Sequence, residues 1–233
     1  MFEWINNLRE PVNGLTHIAG AVLSVVALVL LMYRAASKRK VLHVAAFCIY
    51  GISQITLYTM SAIYHSLNAS SGTIDILRQV EHAMIYFLIA GTYTPICLIV
   101  LKGRWGWSLF GINWALAIIG MTLKLTLRYP PQFVRVILFS FFIIMGWLVV
   151  IAWRPLVRAL PKPGILWLIA GGLFYTLGAI VLGIKGLYLG LGFGPHETWH
   201  IFVMAGGFCI FWLMYKYIIN LQFTDSDKPA NWI

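Results

Sequence analysis

The sequence predicts an all-α polytopic membrane protein, a bundle of seven transmembrane helices. Of its 233 residues, 61% are hydrophobic and 10% are charged, and the mean hydropathy is +0.84. A soluble domain is about half apolar and about a quarter charged. Seven apolar runs reach the roughly 20 residues that a helix needs to cross a bilayer, and they occupy nearly the whole chain. The basic residues cluster in the short loops between these runs, as they do in membrane proteins.

The predicted spans follow one another with little sequence between them. The first run is of full span length, lacks a convincing cleavage site and is followed by six more, so it is not a cleavable signal peptide. The second ends at SAIYH, the third begins in QVEHAMIY, and the seventh begins at HETWH. The seven spans are 14–34, 41–65, 79–101, 107–127, 132–152, 164–184 and 196–219. We assign 1–220 to a single seven-helix transmembrane domain and 221–233 to a short polar C-terminal tail.

Three cysteines, Cys48, Cys97 and Cys209, each fall within a predicted span. No two share a loop, and no pair has the CxxC spacing. We interpret them as small buried hydrophobic side chains.

The net charge of +10 does not indicate nucleic-acid binding, because the cations lie in short loops such as SKRK (37–40). Eleven of the 17 Lys and Arg residues lie on the side of the membrane opposite the N-terminus. The six on the N-terminal side are Arg9, Arg78, Lys124, Arg128, Arg135 and Lys185. The positive-inside rule therefore favours an outside N-terminus and a cytoplasmic C-terminus in the cell membrane.

Polar residues near the span ends collect on one side of the membrane, and five of the six histidines are among them. Ionisable groups in a span are costly, so they mark candidate functional sites. His196 and His200 share a helix face, as do Ser61 and His65. Three imidazoles from two spans could then converge, and three protein ligands plus water is the usual form of a catalytic zinc site. The N-terminal-side set is His17, Ser61, His65, Glu81, His82, Lys124, Arg128, His196, Glu197 and His200.

Simpler interpretations exist for several of these residues. His17 and His43 could be hydrogen-bonded anchors at the membrane interface. Glu81 and Glu197 could be solvated span ends, or carboxylates favoured by the helix dipole. HETWH (196–200) also matches the HExxH pattern of metalloproteases, in which the glutamate is the general base. An intramembrane metalloprotease needs a further carboxylate ligand, and no aspartate falls within a predicted span, Asp75 being placed in a loop.

The wider pattern resembles the hemolysin III family, the bacterial branch of the progestin and adipoQ receptor superfamily. The resemblance is carried by NGLTH (13–17), SAIYH (61–65), EHAMIYFLIAGTYTP (81–95) and HETWH (196–200), and it covers essentially the whole chain. It implies a seven-helix bundle with a zinc ion near one membrane face. The superfamily also resembles alkaline ceramidases in its zinc site, and its adiponectin receptors have been linked to ceramide hydrolysis.

The resemblance implies zinc ligands at His65, His196 and His200, with Ser61 at the family's serine position. A family aspartate beside a zinc-bound water maps onto Glu81, which is one methylene longer. Glu197 falls where the family pattern leaves the residue open. Eukaryotic receptors of the superfamily have a cytoplasmic N-terminus, whereas the charge count here favours the reverse.

Three function classes follow. The first is a Zn²⁺-dependent hydrolase of a lipid amide or ester. In this class Glu81 holds and deprotonates a water, and Ser61 donates a hydrogen bond to that water or to the developing oxyanion. His17 and His82 would support the zinc ligands from outside. The second is a non-enzymatic, zinc-stabilised receptor or sensor of membrane state, with Glu81 closing the site. The third is a cytolysin or pore, for which no span carries a repeated polar stripe. The expected partners are the lipid bilayer and a lipid substrate or ligand, and no residue identifies that lipid or the oligomeric state.

Overall fold

A computed structural model of the chain describes residues 7–127, 129–184, 186, 190 and 193–221. All regular structure in these residues is helical. A π-helical turn at Ile96–Leu101 extends the third helix, and 3₁₀ turns follow the fifth at Leu148–Ala152 and the eighth at Ile218–Asn220. The helices are α1 (Pro11–Ser37), α2 (Val41–Ser66), α3 (Ser71–Pro95), α4 (Gly103–Thr126), α5 (Gln132–Trp147), α6 (Trp153–Ala159), α7 (Lys162–Leu182) and α8 (Pro195–Lys216).

Seven helical segments of the described residues are long and apolar enough to cross a membrane. The segments α5 and α6 join through their 3₁₀ turn into one span, and the other spans correspond to single helices with their terminal turns. The predicted all-α, seven-span fold class is therefore confirmed. The spans are Pro11–Ser37, Val41–Ser66, Ser71–Leu101, Gly103–Thr126, Gln132–Ala159, Lys162–Leu182 and Pro195–Asn220.

The third span is the most enclosed element of the bundle. In its most apolar stretch 67% of residues are buried, against 17% in the fifth span. Helix α3 packs between α2 and α4, while α1 packs on α2 and α8, and α7 packs on α8. Glu81 lies further along α3 and is only 6% exposed, so its carboxylate faces other helices rather than lipid.

Two predicted span limits were wrong by seven or eight residues. Helix α3 begins at Ser71 rather than at 79, because Ser70 caps it by accepting a hydrogen bond from the Thr73 amide. Asp75, expected in a loop, consequently lies within α3 and forms an ion pair with Arg78 at 2.9 Å. The fifth span runs to Ala159 rather than 152, since α6 continues it after the 3₁₀ turn. The predicted tail, apart from Leu221, lies outside the described residues.

The end of α8 farthest from the predicted site is held by cations from the α1–α2 corner. Arg34 donates to the Tyr215 carbonyl at 2.6 Å, and Lys40 donates to the carbonyls of Ile219 and Leu221. The last carbonyls of a helix have no partners within the helix, so these side chains satisfy them. His43 lies at this end, 3.3 Å from the Ile218 carbonyl, in agreement with its interpretation as an anchor.

Candidate metal centre

The first turn of α8 sets two histidines on one face. Gly194 precedes the helix, Pro195 occupies its first position, and the Glu197 carboxylate accepts a hydrogen bond from the Gly194 amide at 2.9 Å. Proline tolerates this position because the amide it lacks would have no helical partner. With the start of α8 fixed, His196 and His200 both turn toward the end of α2.

His65, on the last turn of α2, completes a nearly equilateral triangle with these two histidines. Its ring centroid is 4.9 Å from that of His196 and 4.9 Å from that of His200, and the last two are 4.8 Å apart. His65 and His200 are each about 1% exposed. Three imidazoles at this spacing bring ring nitrogens to a common point.

Glu81, on α3, supplies an oxygen to the same point. Its Oε1 lies 3.2 Å from His65 Nε2, and the buried Ser61 hydroxyl donates a 2.5 Å hydrogen bond to that oxygen. Ser61 lies one turn before His65 on α2, as the i,i+4 pairing predicted. The Ser61 hydroxyl therefore fixes the carboxylate in the site, and because Ser61 is buried, bulk water does not compete for this hydrogen bond.

The geometry of this group fits a metal ion. One ligand atom from each of His65, Glu81, His196 and His200 lies within 4.8 Å of the others. The Nε2 atoms of His65 and His196 are 3.2 Å apart. Two ligands held about 2.0–2.1 Å from a tetrahedral ion lie about 3.3 Å apart, which agrees with this separation. The buried Nε2 of His200 has no hydrogen-bond partner, as expected of an atom that ligates.

The tautomer of His200 is set by helix α1. The Thr16 hydroxyl donates to the carbonyls of Val12 and Asn13, and its oxygen lies 3.3 Å from His200 Nδ1. The hydroxyl proton is thus directed away from the ring, so the oxygen accepts from Nδ1–H. Nε2 then carries the lone pair that a metal requires.

A polar chain outside the ligand group was not foreseen from the sequence. The Glu10 carboxylate accepts from His65 Nδ1 at 2.6 Å and from Asn13 Nδ2 at 3.0 Å, and Asn13 Nδ2 also donates to Glu197 at 2.8 Å. The signal was available: Glu10, Asn13 and His17 fall within one narrow arc of a helical projection just where the first apolar run begins.

The charge of Glu10 is favoured by its surroundings. Burial acts to raise the pKa of this carboxyl, but the hydrogen bond from His65, the Asn13 amide and the Arg9 guanidinium together lower it below its ordinary value. The side chain of Arg9 lies 3.1 Å from the carboxylate. Glu10 is therefore an anion at neutral pH and can accept hydrogen bonds only.

Glu197 is not placed as the base of an HExxH protease. One of its carboxylate oxygens caps α8 and the other accepts from Asn13, and it does not belong to the ligand group of the described residues. These contacts match a role in holding the start of α8. They speak against the metalloprotease interpretation.

His17 and His82 lie near the group without joining it. The ring of His17 stacks on that of His200 with centroids 3.5 Å apart and planes 5° from parallel, and both of its buried nitrogens lack hydrogen-bond partners. His82 follows Glu81 on α3, and its buried Nδ1 likewise has no partner. Neither is seen to hydrogen-bond a ligand of the group, and the role predicted for them, to support the ligands from outside, stays a prediction.

A mostly apolar cavity of about 210 Å³ opens beside the group. Glu81 and His17 line it where it meets the ligands, and Ile96, Leu156 and Ile210 line it deeper in the bundle. Glu81 and Ile96 are fifteen residues apart on one helical segment, which corresponds to about 22 Å along its axis. The cavity is therefore long and narrow, with its few charged or imidazole groups at one end.

Comparison with known proteins gives one consistent result. A family model described as "Haemolysin-III related" matches residues 5–211. "Hemolysin-3" of Bacillus cereus is 38% identical over 211 residues, which cover 91% of this chain and 92% of that protein. "Hemolysin-3 homolog" of Bacillus subtilis (strain 168) is 38% identical over 217 residues, covering 93% of this chain and 98% of that protein.

Proposed function

The chain belongs to the haemolysin III-related family, and we propose that it is a zinc-dependent membrane hydrolase that cleaves a lipid amide or ester. One observation carries the proposal: Glu81 belongs both to the buried ligand group and to the wall of the apolar cavity. A possible metal-ligand group and a mostly apolar cavity therefore adjoin at a single carboxylate.

The donor set is compatible with zinc. Three imidazoles and a carboxylate suit zinc, and no cysteine of the described residues joins the group to favour a softer ion. Zinc, when bound, lowers the pKa of water from 15.7 to about 7 and so supplies a nucleophile at neutral pH. His65, His196 and His200 would hold the ion.

The chain's own residues would carry the proton chemistry. Glu81 is the only carboxylate among the ligand-group residues, so it would accept a proton from a water in the site and later return it to the leaving group. The Ser61 hydroxyl directs Oε1 by its 2.5 Å hydrogen bond, which keeps the carboxylate oriented while its proton state changes. The low exposure of both residues excludes bulk water.

The substrate class is inferred from the cavity. Its length and mostly apolar lining suit one extended hydrocarbon chain, with the scissile bond beside Glu81. His17, with both ring nitrogens unpartnered at the same end, is placed to hydrogen-bond the polar group of such a lipid.

The test is a hydrolysis assay with purified protein in detergent or nanodiscs. A panel of N-acyl and O-acyl lipids would be incubated with wild type and Glu81→Gln, and the released fatty acid measured by mass spectrometry. Release by wild type, reduced about 10²- to 10⁴-fold in the variant, is expected for loss of a general base. A zinc-loaded wild type that releases no fatty acid from any member of the panel would count against the hydrolase.

A second function is favoured by the position of Glu81 Oε1. Its 3.2 Å distance to His65 Nε2 equals the separation of two histidine nitrogens in the group, so the oxygen stands where a fourth ligand would. A structural zinc site is closed by protein in this way, whereas a catalytic site leaves a position to water. The chain would then be a non-enzymatic, zinc-stabilised receptor or sensor of membrane state. Zinc removal would lower its thermal stability strongly, and no lipid would be turned over.

The names of the two Bacillus relatives raise cytolysis as a third function. The main cavity is mostly apolar, and its lining does not resemble that of an aqueous channel. Liposomes that leak a trapped dye in proportion to the protein added would support a pore.

We also propose that the protein resides in the cell membrane with its N-terminus outside. The cation count of the loops supports this orientation. The metal site lies on the N-terminal side and would then face the exterior. Its substrate would be a lipid of the outer leaflet.

A further inference from the structure

The segment before α1 is fixed against the end of α2. The amide of Glu10 donates to the carbonyl of His65 at 2.9 Å, and that of Arg9 lies 3.4 Å from the carbonyl of Ser66. The Arg9 guanidinium stacks over the Tyr64 ring at 4.3 Å. These bonds satisfy carbonyls that the end of a helix leaves unpaired. They also fix the backbone of Glu10 beside the imidazole of His65.

The Glu10 side chain uses this placement to bond the far side of the His65 ring. Its Oε2 accepts from Nδ1 at 2.6 Å, a short distance typical of a charge-assisted hydrogen bond. An ionised carboxylate only accepts, so Nδ1 carries the proton and Nε2 carries the lone pair. That Nε2 is the atom that lies 3.2 Å from both Glu81 Oε1 and His196 Nε2.

The same carboxylate is connected to the helix that holds the other two histidines. Asn13 bridges Glu10 and Glu197, donating to both through Nδ2. Glu197 in turn caps the first turn of α8. A displacement of Glu10 would therefore disturb the orientation of the His65 ring first and the start of α8 second.

We infer that Glu10 is a positioning residue for the metal centre, which fixes the tautomer and orientation of His65 and raises its strength as a ligand. Histidine ligands of metals regularly donate their second N–H to a carboxylate, and loss of such a partner weakens metal binding about 10- to 100-fold. The inference rests on the metal site of the proposed function, but it does not depend on turnover.

The direct test is the zinc dissociation constant of the purified full chain, measured by competition with a chromophoric chelator. Glu10→Gln keeps the shape of the side chain and removes its charge, and Glu10→Ala removes both. We expect zinc binding to weaken about 10- to 100-fold in these variants, and to weaken less in Glu10→Asp. Asp75→Asn is the matched control, because it makes the same acid-to-amide exchange at a carboxylate on the same side that pairs with Arg78.

A second measurement separates positioning from simple stabilisation of the fold. The melting temperature of each variant would be recorded with and without zinc. A purely structural role of Glu10 lowers both temperatures equally and leaves the shift caused by zinc unchanged. The positioning role reduces the shift in Glu10→Gln and leaves the wild-type shift in Asp75→Asn.

The outcomes are distinct. Wild-type affinity and a wild-type zinc shift in both Glu10→Gln and Glu10→Ala would overturn the inference, as would an equal loss in Asp75→Asn. Failure of wild type itself to bind zinc would overturn the metal site and the proposed function along with it. Normal zinc effects without lipid hydrolysis would refute the hydrolase alone and leave the role of Glu10 supported.

Discussion

Replacement of Glu81 by glutamine separates the roles that this side chain has in the proposed mechanism. Glutamine has nearly the same shape, and its amide oxygen can still accept the hydrogen bond from Ser61, so the fold should be kept. The three histidines remain, and about one zinc per chain should still bind. Turnover should fall about 10²- to 10⁴-fold because the amide cannot accept a proton. That loss corresponds to about 2.7–5.5 kcal/mol of activation free energy.

The assay compares single-turnover rates and bound zinc in wild type, Glu81→Gln and Ser61→Ala. Ser61 is fully buried, so bulk water could not replace the donor that Ser61→Ala takes away from the carboxylate oxygen. A hydrogen bond to a charged group contributes about 1.5–3 kcal/mol, so Ser61→Ala should slow turnover less than Glu81→Gln does. Wild-type turnover in Glu81→Gln with zinc bound would refute the assignment of Glu81 as the base.

Three further predictions address the cap, the packing and the topology. Glu197→Gln should keep about one zinc per chain in a metal analysis. Loss of the metal would indicate that Glu197 takes part in metal binding. Gly106→Ala should destabilise the protein by about 1–3 kcal/mol in denaturant unfolding, because a Cβ there would overlap the backbone carbonyl oxygen of Cys97. Gly111→Ala on the same helix, with no atom within 4 Å, should not, and equal effects would contradict the packing. A fluorescent protein fused to the C-terminus should fluoresce in bacterial cells. If that fusion is dark and an alkaline phosphatase fused at the same end is active, the orientation is the reverse of the proposed one.

The seven spans could be predicted from the sequence because hydropathy alone determines which segments enter a bilayer. Their limits could not, since these depend on local contacts. Ser70 caps α3 nine residues before position 79, where the predicted span began. The turn at Leu148–Ala152 lets the fifth span continue into a segment that contains two arginines.

The structure brings together His65, Glu81, His196 and His200, whose roles as ligands and base stay predictions. Their proximity could be anticipated because span ends on one side of a membrane share a depth, and helical periodicity fixes which residues share a face. Glu10 was missed because it lies before the first predicted span, and its place on the same helical arc as Asn13 and His17 does not show that it reaches His65. Its contact with His65 depends on the path of residues 7–10 across the end of α2, which only the folded chain reveals.

The most direct test of the account is the metal content of detergent-purified protein, measured by elemental analysis without chelators at any step. Wild type, His65→Ala and His200→Ala would be compared, with His43→Ala as the control, because His43 lies at the opposite end of the bundle. The account predicts about one zinc per chain in wild type and in His43→Ala, and its loss from the other two variants. Metal-free wild type, or zinc retained in both His65→Ala and His200→Ala, would contradict a centre shared by α2 and α8.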